Sequence, residues 1–176
     1  MILAIDPSAS RTGWCKGHPG GPVKTGSLGL GSFGKELGPT LNALDKWLER
    51  ALDGVDFVFY EGPIQFGKQS FESRRKLYSL GALIELRCHQ QRIRVREINN
   101  AEAKKVCYGS GKFSKTQKEE HGVRLATEWG FSPANHDQAD ACAVFLRGVQ
   151  IWFEHDFQQW VERKAAIAQE AGGMLL

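Results

Sequence analysis

Met1-Ile2-Leu3-Ala4-Ile5 is a short apolar run that stops at Asp6-Pro7-Ser8. An apolar run of that length closed by turn-forming residues predicts a strand. Thr12 to Lys16 and Pro22 to Leu28 follow at short spacing and predict two more strands, joined as antiparallel hairpins. The period then changes. Leu41, Leu44, Leu48 and Leu52 recur at helical spacing with Trp47 alongside, which predicts an amphipathic helix over 40–53 ended by Gly54. Asp56-Phe57-Val58-Phe59-Tyr60 predicts a buried strand, closed by Glu61-Gly62-Pro63.

Beyond a loop rich in Gly and Gln, the residues Leu77, Leu80, Ile84 and Cys88 share one face of a helix near 71–91. Ile93 to Ile98 predicts a fifth strand. Helices near 99–107 and 115–130 follow, separated by Gly109-Ser110-Gly111-Lys112. Asn135 or His136 opens a helix over 137–152, and a last helix over 153–171 aligns Phe153, Phe157, Trp160, Val161 and Lys164. Three strands in hairpins, then two strands alternating with helices, indicate an α/β fold with a mixed sheet covered by helices. There is no internal repeat. The 176 residues fit a single domain, 1–176, with 153–176 as a C-terminal helical extension.

Composition is that of a globular domain, 41% hydrophobic and 24% charged. The four cysteines, Cys15, Cys88, Cys107 and Cys142, contain no C-x-x-C pair, which argues against a zinc ribbon or disulfide framework and for a reduced, cytoplasmic protein. The start carries no basic leader, and no apolar run reaches the ~18 residues of a membrane span. The net charge of +3 conceals an uneven distribution: −1 over residues 1–62, +9 over 63–118 and −5 over 119–176. The basic middle third points to a polyanionic partner.

Two glycine motifs compete for attention. Gly29-Leu30-Gly31-Ser32-Phe33-Gly34 matches the dinucleotide fingerprint G-x-G-x-x-G, with Asp53 downstream, and would make the chain a nucleotide-binding domain. That fingerprint requires a buried parallel strand before it and a helix directly after it. Here the polar Val23-Lys24-Thr25-Gly26-Ser27 precedes, and Gly38-Pro39 delays the helix. Gly109-Ser110-Gly111-Lys112 lacks the hydroxyl residue and the earlier glycine of a P-loop, since Phe113 and Val106 stand there.

The acidic residues form a more coherent set. Asp6 and Glu61 end two predicted strands; if these are parallel neighbours, both carboxylates leave the same carboxyl edge of the sheet, where open α/β sheets place their chemistry. Asp137 and Asp140 lie three apart at a helix start, on one face, and small Ala139 and Ala141 permit that helix to approach the sheet. Singly, each has an ordinary reading as a turn, a strand-end charge or a first-turn acid favoured by the helix dipole. Gathered, they would repel, by about 4 kcal/mol for two charges 4 Å apart at an effective dielectric of 20. Such a cluster calls for protons or for hard divalent cations such as Mg²⁺ or Mn²⁺. Two such ions about 4 Å apart suit phosphodiester hydrolysis.

Ile2-Leu3-Ala4-Ile5-Asp6-Pro7-Ser8 with Thr12-Gly13-Trp14, Tyr60-Glu61, Lys104 to Gln117, and Asp137-Gln138-Ala139-Asp140-Ala141 together resemble the RuvC-type Holliday junction resolvases. These are bacterial and phage nucleases of the RNase H-like superfamily. The resemblance covers roughly residues 1–150, in order. It implies a five-stranded sheet of order 3-2-1-4-5 and two Mg²⁺ ions held by Asp6, Glu61, Asp137 and Asp140, with Mn²⁺ as a substitute. It implies Lys104 and Lys115 near the scissile phosphate, Lys115 neutralising transition-state charge. It also implies a homodimer that resolves four-way junctions by paired nicks leaving a 5′-phosphate and a 3′-hydroxyl.

The basic residues Lys68, Arg74, Arg75, Lys76 and Lys112, with Lys104 and Lys115, are then candidate DNA contacts. Neutralising about six phosphates would give a log-affinity against log-salt slope near −5. Ile64 or Phe66 stands where the family places an apolar residue that stacks at the opened junction. The chain departs from the family at Ser8, where many members have Gly, and at His136, read as a helix cap in preference to a group supporting the acids. An RNase H-like nuclease acting on forks or flaps is the alternative within this class. A nucleotide-binding module using Gly29 to Gly34 is the alternative outside it.

Overall fold

Apolar runs bounded by turn formers become the middle of a sheet, and the periodic segments become its covers. The computed structural model describes residues 1–31, 34, 36–63, 70–111 and 115–173, with the side chains of 115–120 and 171–173 outside that description. The strands are β1 (Ile2–Asp6), β2 (Arg11–Gly17), β3 (Val23–Gly29), β4 (Phe57–Glu61) and β5 (Arg94–Ile98). The helices are α1 (Gly38–Ala51), α2 (Phe71–Gln90), α3 (Asn100–Tyr108), α4 (Lys115–Thr127), α5 (His136–Trp152) and α6 (Glu154–Gly173). The sheet order is β3-β2-β1-β4-β5, as the resemblance implies. β1 pairs with β4, and β4 with β5, in parallel; the β1–β2 and β2–β3 pairs are antiparallel.

β1 is central, and Ile2, Leu3, Ala4 and Ile5 are all fully buried. That explains why its sequence is continuously apolar rather than alternating: both faces of the strand are covered. Ile2 and Ala4 join Phe59, Phe145 and Trp160 on one side of the sheet, under α3 to α6. Leu3 and Ile5 join Leu44, Leu48, Leu80 and Ile84 on the other, under α1 and α2. All four cysteines are free and buried.

Side-chain caps set three helix starts. Ser70 accepts from the Ser73 amide, Asn99 from Ala101 and Glu102, and Asn135 from Gln138. The last of these corrects the reading of His136 as a cap. Asn135 has the extended backbone and acceptor oxygen that capping needs, whereas His136 is the first helical residue. The predicted extension at 153–176 is mostly exposed where it is described and is anchored by Trp160. Trp160 is buried, stacks on Phe131 with ring centroids 4.6 Å apart, and donates its indole N–H to the Pro19 carbonyl. Among the described residues no helix is long and apolar enough to cross a membrane.

α1 and α2 are clamped together by a forked ion pair in which Arg87 donates to both carboxylate oxygens of Asp45. The Arg87 hydrogen bonds hold the Asp45 carboxyl below its ordinary value of 3.8. A depressed carboxyl contributes stability above its unfolded value and loses that contribution as pH falls through its folded value. Asp45→Asn should therefore lower the urea midpoint at neutral pH, with the gap to wild type closing as the pH falls below 3.8.

Candidate active site

The parallel register of β1 and β4 brings two carboxylates to one edge. Ile5 stands opposite Tyr60, and one residue further on both strands end, at Asp6 and at Glu61. Asp6 also faces Gly13 across the β1–β2 ladder. That glycine is where α5 lands. A methyl group built on Gly13 would overlap the backbone carbonyl of Asp137, so the first turn of α5 lies directly on the β2 backbone. A second close approach holds the far end, where Gly148 gives room to the Phe59 ring. Asp6, Glu61, Asp137 and Asp140 are thus carried to one edge by three elements.

Gln138 locks this docking from the side. Its carbonyl oxygen accepts from Thr25 (3.1 Å) and from the Ala134 amide (2.9 Å), while its amide nitrogen donates to Ser27 (3.2 Å). The edge strand β3 is thereby tied to the start of α5. Thr25 and Ser27 belong to the polar stretch that precedes Gly29. Gly29 is the last residue of an antiparallel edge strand, and α1 begins only at Gly38. Gly109, at φ +78°, closes α3 as a left-handed cap. The first glycine motif therefore does not run directly from a buried parallel strand into a helix, as a dinucleotide fingerprint requires.

Asp140, Glu61 and Asp137 each meet a polar neighbour. Tyr108, buried at the end of α3, donates its hydroxyl to Asp140 Oδ1 at 3.0 Å. Burial and the nearby Asp140 charge push the Tyr108 hydroxyl far above its ordinary value, so it remains a donor. Asn100 donates its side-chain amide to Glu61 Oε1 and accepts from Lys104. His136 Nε2 lies 3.2 Å from Asp137 Oδ1, so this histidine touches an acid of the set. Sequence reasoning missed Asn100 and Tyr108; only Asn100 left a trace, as one of two asparagines at a predicted helix start.

The basic candidates divide. Arg74 and Arg75 are exposed on the first turns of α2. Lys76 is turned inward: it is buried and its ammonium donates to the Gly34 carbonyl at 2.6 Å. Lys104 is likewise buried, spanning one helical turn to Asn100, so it acts next to Glu61 rather than on an open surface. Lys115 is the first residue of α4, and its side chain is outside the described residues, as are Ile64, Phe66, Lys68 and Lys112 altogether.

The donor chemistry of the four acids, hard oxygens throughout, fits Mg²⁺ or Mn²⁺. As the side chains stand, no three described His, Cys, Asp or Glu groups converge on a common ion position. Glu61 faces Asn100 and Asp140 faces Tyr108.

No family model matches the chain, and no curated protein matches it in sequence. Solved structures do match. The Thermus thermophilus RuvC structure overlays with a TM-score of 0.58 at 15% identity, covering 85% of this chain and 96% of that one. T. thermophilus RuvC in complex with Holliday junction substrate overlays with a TM-score of 0.65 at 15% identity, covering 90% of this chain and 96% of that one. The chain therefore has the RuvC-type, RNase H-like fold.

Because the α5 backbone rests on Gly13, Gly13→Ala should push the helix off β2 and destabilise the fold by about 1–3 kcal/mol, the usual cost of overpacking. Urea unfolding checks this, with Gly29→Ala as the control, since a methyl there meets nothing within 4 Å.

Proposed function

We propose that this chain is a divalent-metal-dependent endonuclease that resolves four-way DNA junctions. The observation that carries the reading is the meeting of Asp6, Glu61 and the Asp137–Asp140 helix turn at one sheet edge, in a fold shared with RuvC in complex with Holliday junction substrate. The order of the acidic segments along the chain, which resembles that of the family, is in keeping with it.

Asp6, Glu61, Asp137 and Asp140 would hold two Mg²⁺ or Mn²⁺ ions, which when bound supply an activated water and stabilise the leaving oxygen. The chain's own residues do the rest. Tyr108 donates to Asp140 and fixes the direction of its carboxylate. Lys104, beside Glu61, adds positive charge where phosphate charge must be tolerated, and Lys115 opens a helix in the same basic segment. Arg74 and Arg75 present charge to a duplex arm and would position it without reading its sequence.

Asp6→Asn removes one carboxylate while leaving the basic surface intact. It should bind a labelled four-way junction as wild type does in EDTA. Its Mg²⁺-dependent cleavage should drop by more than the ~10–100-fold that losing an outer-shell partner costs. Cleavage at the wild-type rate would refute the metal-site assignment. Equal cutting of junction, fork and flap would point instead to a less selective branched-DNA nuclease.

A four-way junction has near two-fold symmetry, and paired nicks call for two active sites related by a dyad. The reading therefore includes a homodimer. Its support is a stripe along α2, where Phe71, Tyr78 and Leu86 are 71%, 51% and 51% exposed. Large apolar side chains aligned on one exposed helix face are characteristic of interaction surfaces. Tyr78→Asp with Leu86→Asp should yield a monomer by sedimentation equilibrium, with the sheet's far-UV signature retained and the two nicks no longer paired. A double variant that stays dimeric would move the interface elsewhere.

A further inference from the structure

Asn100 is the first residue of α3, immediately after the capping Asn99. Its placement follows from the sheet. Glu61 pairs with Ile98 in the parallel β4–β5 ladder, so the chain leaving β5 turns into α3 beside the end of β4. Two residues past Ile98, the Asn100 side chain stands between groups of opposite charge. Its amide nitrogen donates to Glu61 Oε1, and its amide oxygen accepts from Lys104 Nζ.

The orientation of that amide is dictated by chemistry. A carboxylate can only accept and an ammonium can only donate, so a flipped amide would set acceptor against acceptor and donor against donor. Lys104 lies four residues on, hence on the same helix face, and is buried. It therefore polarises the amide in the sense that strengthens the bond to Glu61. The amide itself contributes direction and no charge.

We propose that Asn100 is a positioning residue: held by Lys104, it orients the Glu61 carboxylate at the sheet edge for a divalent cation. The inference rests on the nuclease reading and extends it to a residue outside the acidic set. The described acids do not converge on an ion position as the side chains stand, so the contact governs how readily Glu61 is recruited to a cation, and its signature is in metal affinity. Junction affinity and the maximal rate at saturating metal should change far less.

The test uses the full chain with Asn100→Ala and Asn100→Gln, the latter keeping an amide on a longer arm. Calorimetric titration with Mn²⁺ in the absence of DNA should show Asn100→Ala weakened by about tenfold or more, the range for an outer-shell partner. The Mn²⁺ concentration for half-maximal junction cleavage should rise by a similar factor, while the rate at saturating Mn²⁺ stays within about threefold of wild type. Junction binding and the thermal midpoint, both in EDTA, should be unchanged. Asn100→Gln should recover most of the Mn²⁺ affinity.

Mn²⁺ affinity of Asn100→Ala within about twofold of wild type overturns the proposal, as does an equal loss in Asn100→Gln. So does a fall in thermal midpoint and junction binding with Mn²⁺ affinity unchanged, since that marks a purely structural role. A wild-type chain that binds no Mn²⁺, or an Asp6→Asn variant that still cuts, defeats the nuclease reading itself and this inference with it.

Discussion

The contact on which the site depends is the one between the first turn of α5 and the backbone of β2. It exists because Gly13 has no side chain: any Cβ there would occupy the space of the Asp137 carbonyl. Gly13 is also the cross-strand partner of Asp6. One missing methyl thus sets a helix carrying two acids against a strand ending in a third. The parallel β1–β4 pair adds the fourth by register alone. Cores are close-packed and transmit small changes in volume, so a shift at this contact would be felt at the acids and along α5 to Gly148.

Bringing carboxylates to one edge raises an electrostatic cost that the surroundings offset in a consistent way. Donors of differing strength face the acids: a tyrosine hydroxyl on Asp140, an amide on Glu61 and an imidazole beside Asp137. The one ammonium described at this edge, that of Lys104, reaches Glu61 through the Asn100 amide. The basic excess of residues 63–118 is spread over α2, β5, α3 and the start of α4, and part of it, such as Arg94 beside Phe57, stands at the opposite end of the sheet.

Much of this was legible along the chain. Continuous apolarity marked β1 and β4 as buried strands, period-four leucines marked α1, and Asp6 and Glu61 were recognisable as strand ends because each follows an apolar run directly. Strand order came from resemblance, since periodicity has no information about which strand lies beside which. Other residues have surroundings that their local sequence does not reveal. Lys76 sits in a basic run and looks solvated, yet its long apolar stem lets it turn inward and bond to Gly34. His136 occupies a position where a cap is plausible, but the capping geometry falls one residue earlier, at Asn135. Tyr108 carried no local signal, because its partner is 32 residues away.

By itself the sequence determined the elements, their ends and the chemical type of the site, because these depend on local period, turn formers and side-chain class. The tertiary structure decided which groups meet. Asn100 reaches Glu61 only because β5 pairs with β4, and Asp137 reaches the edge only because Gly13 admits it. Both are contacts between residues far apart in the chain, fixed by packing and register. No pattern within a single segment records them.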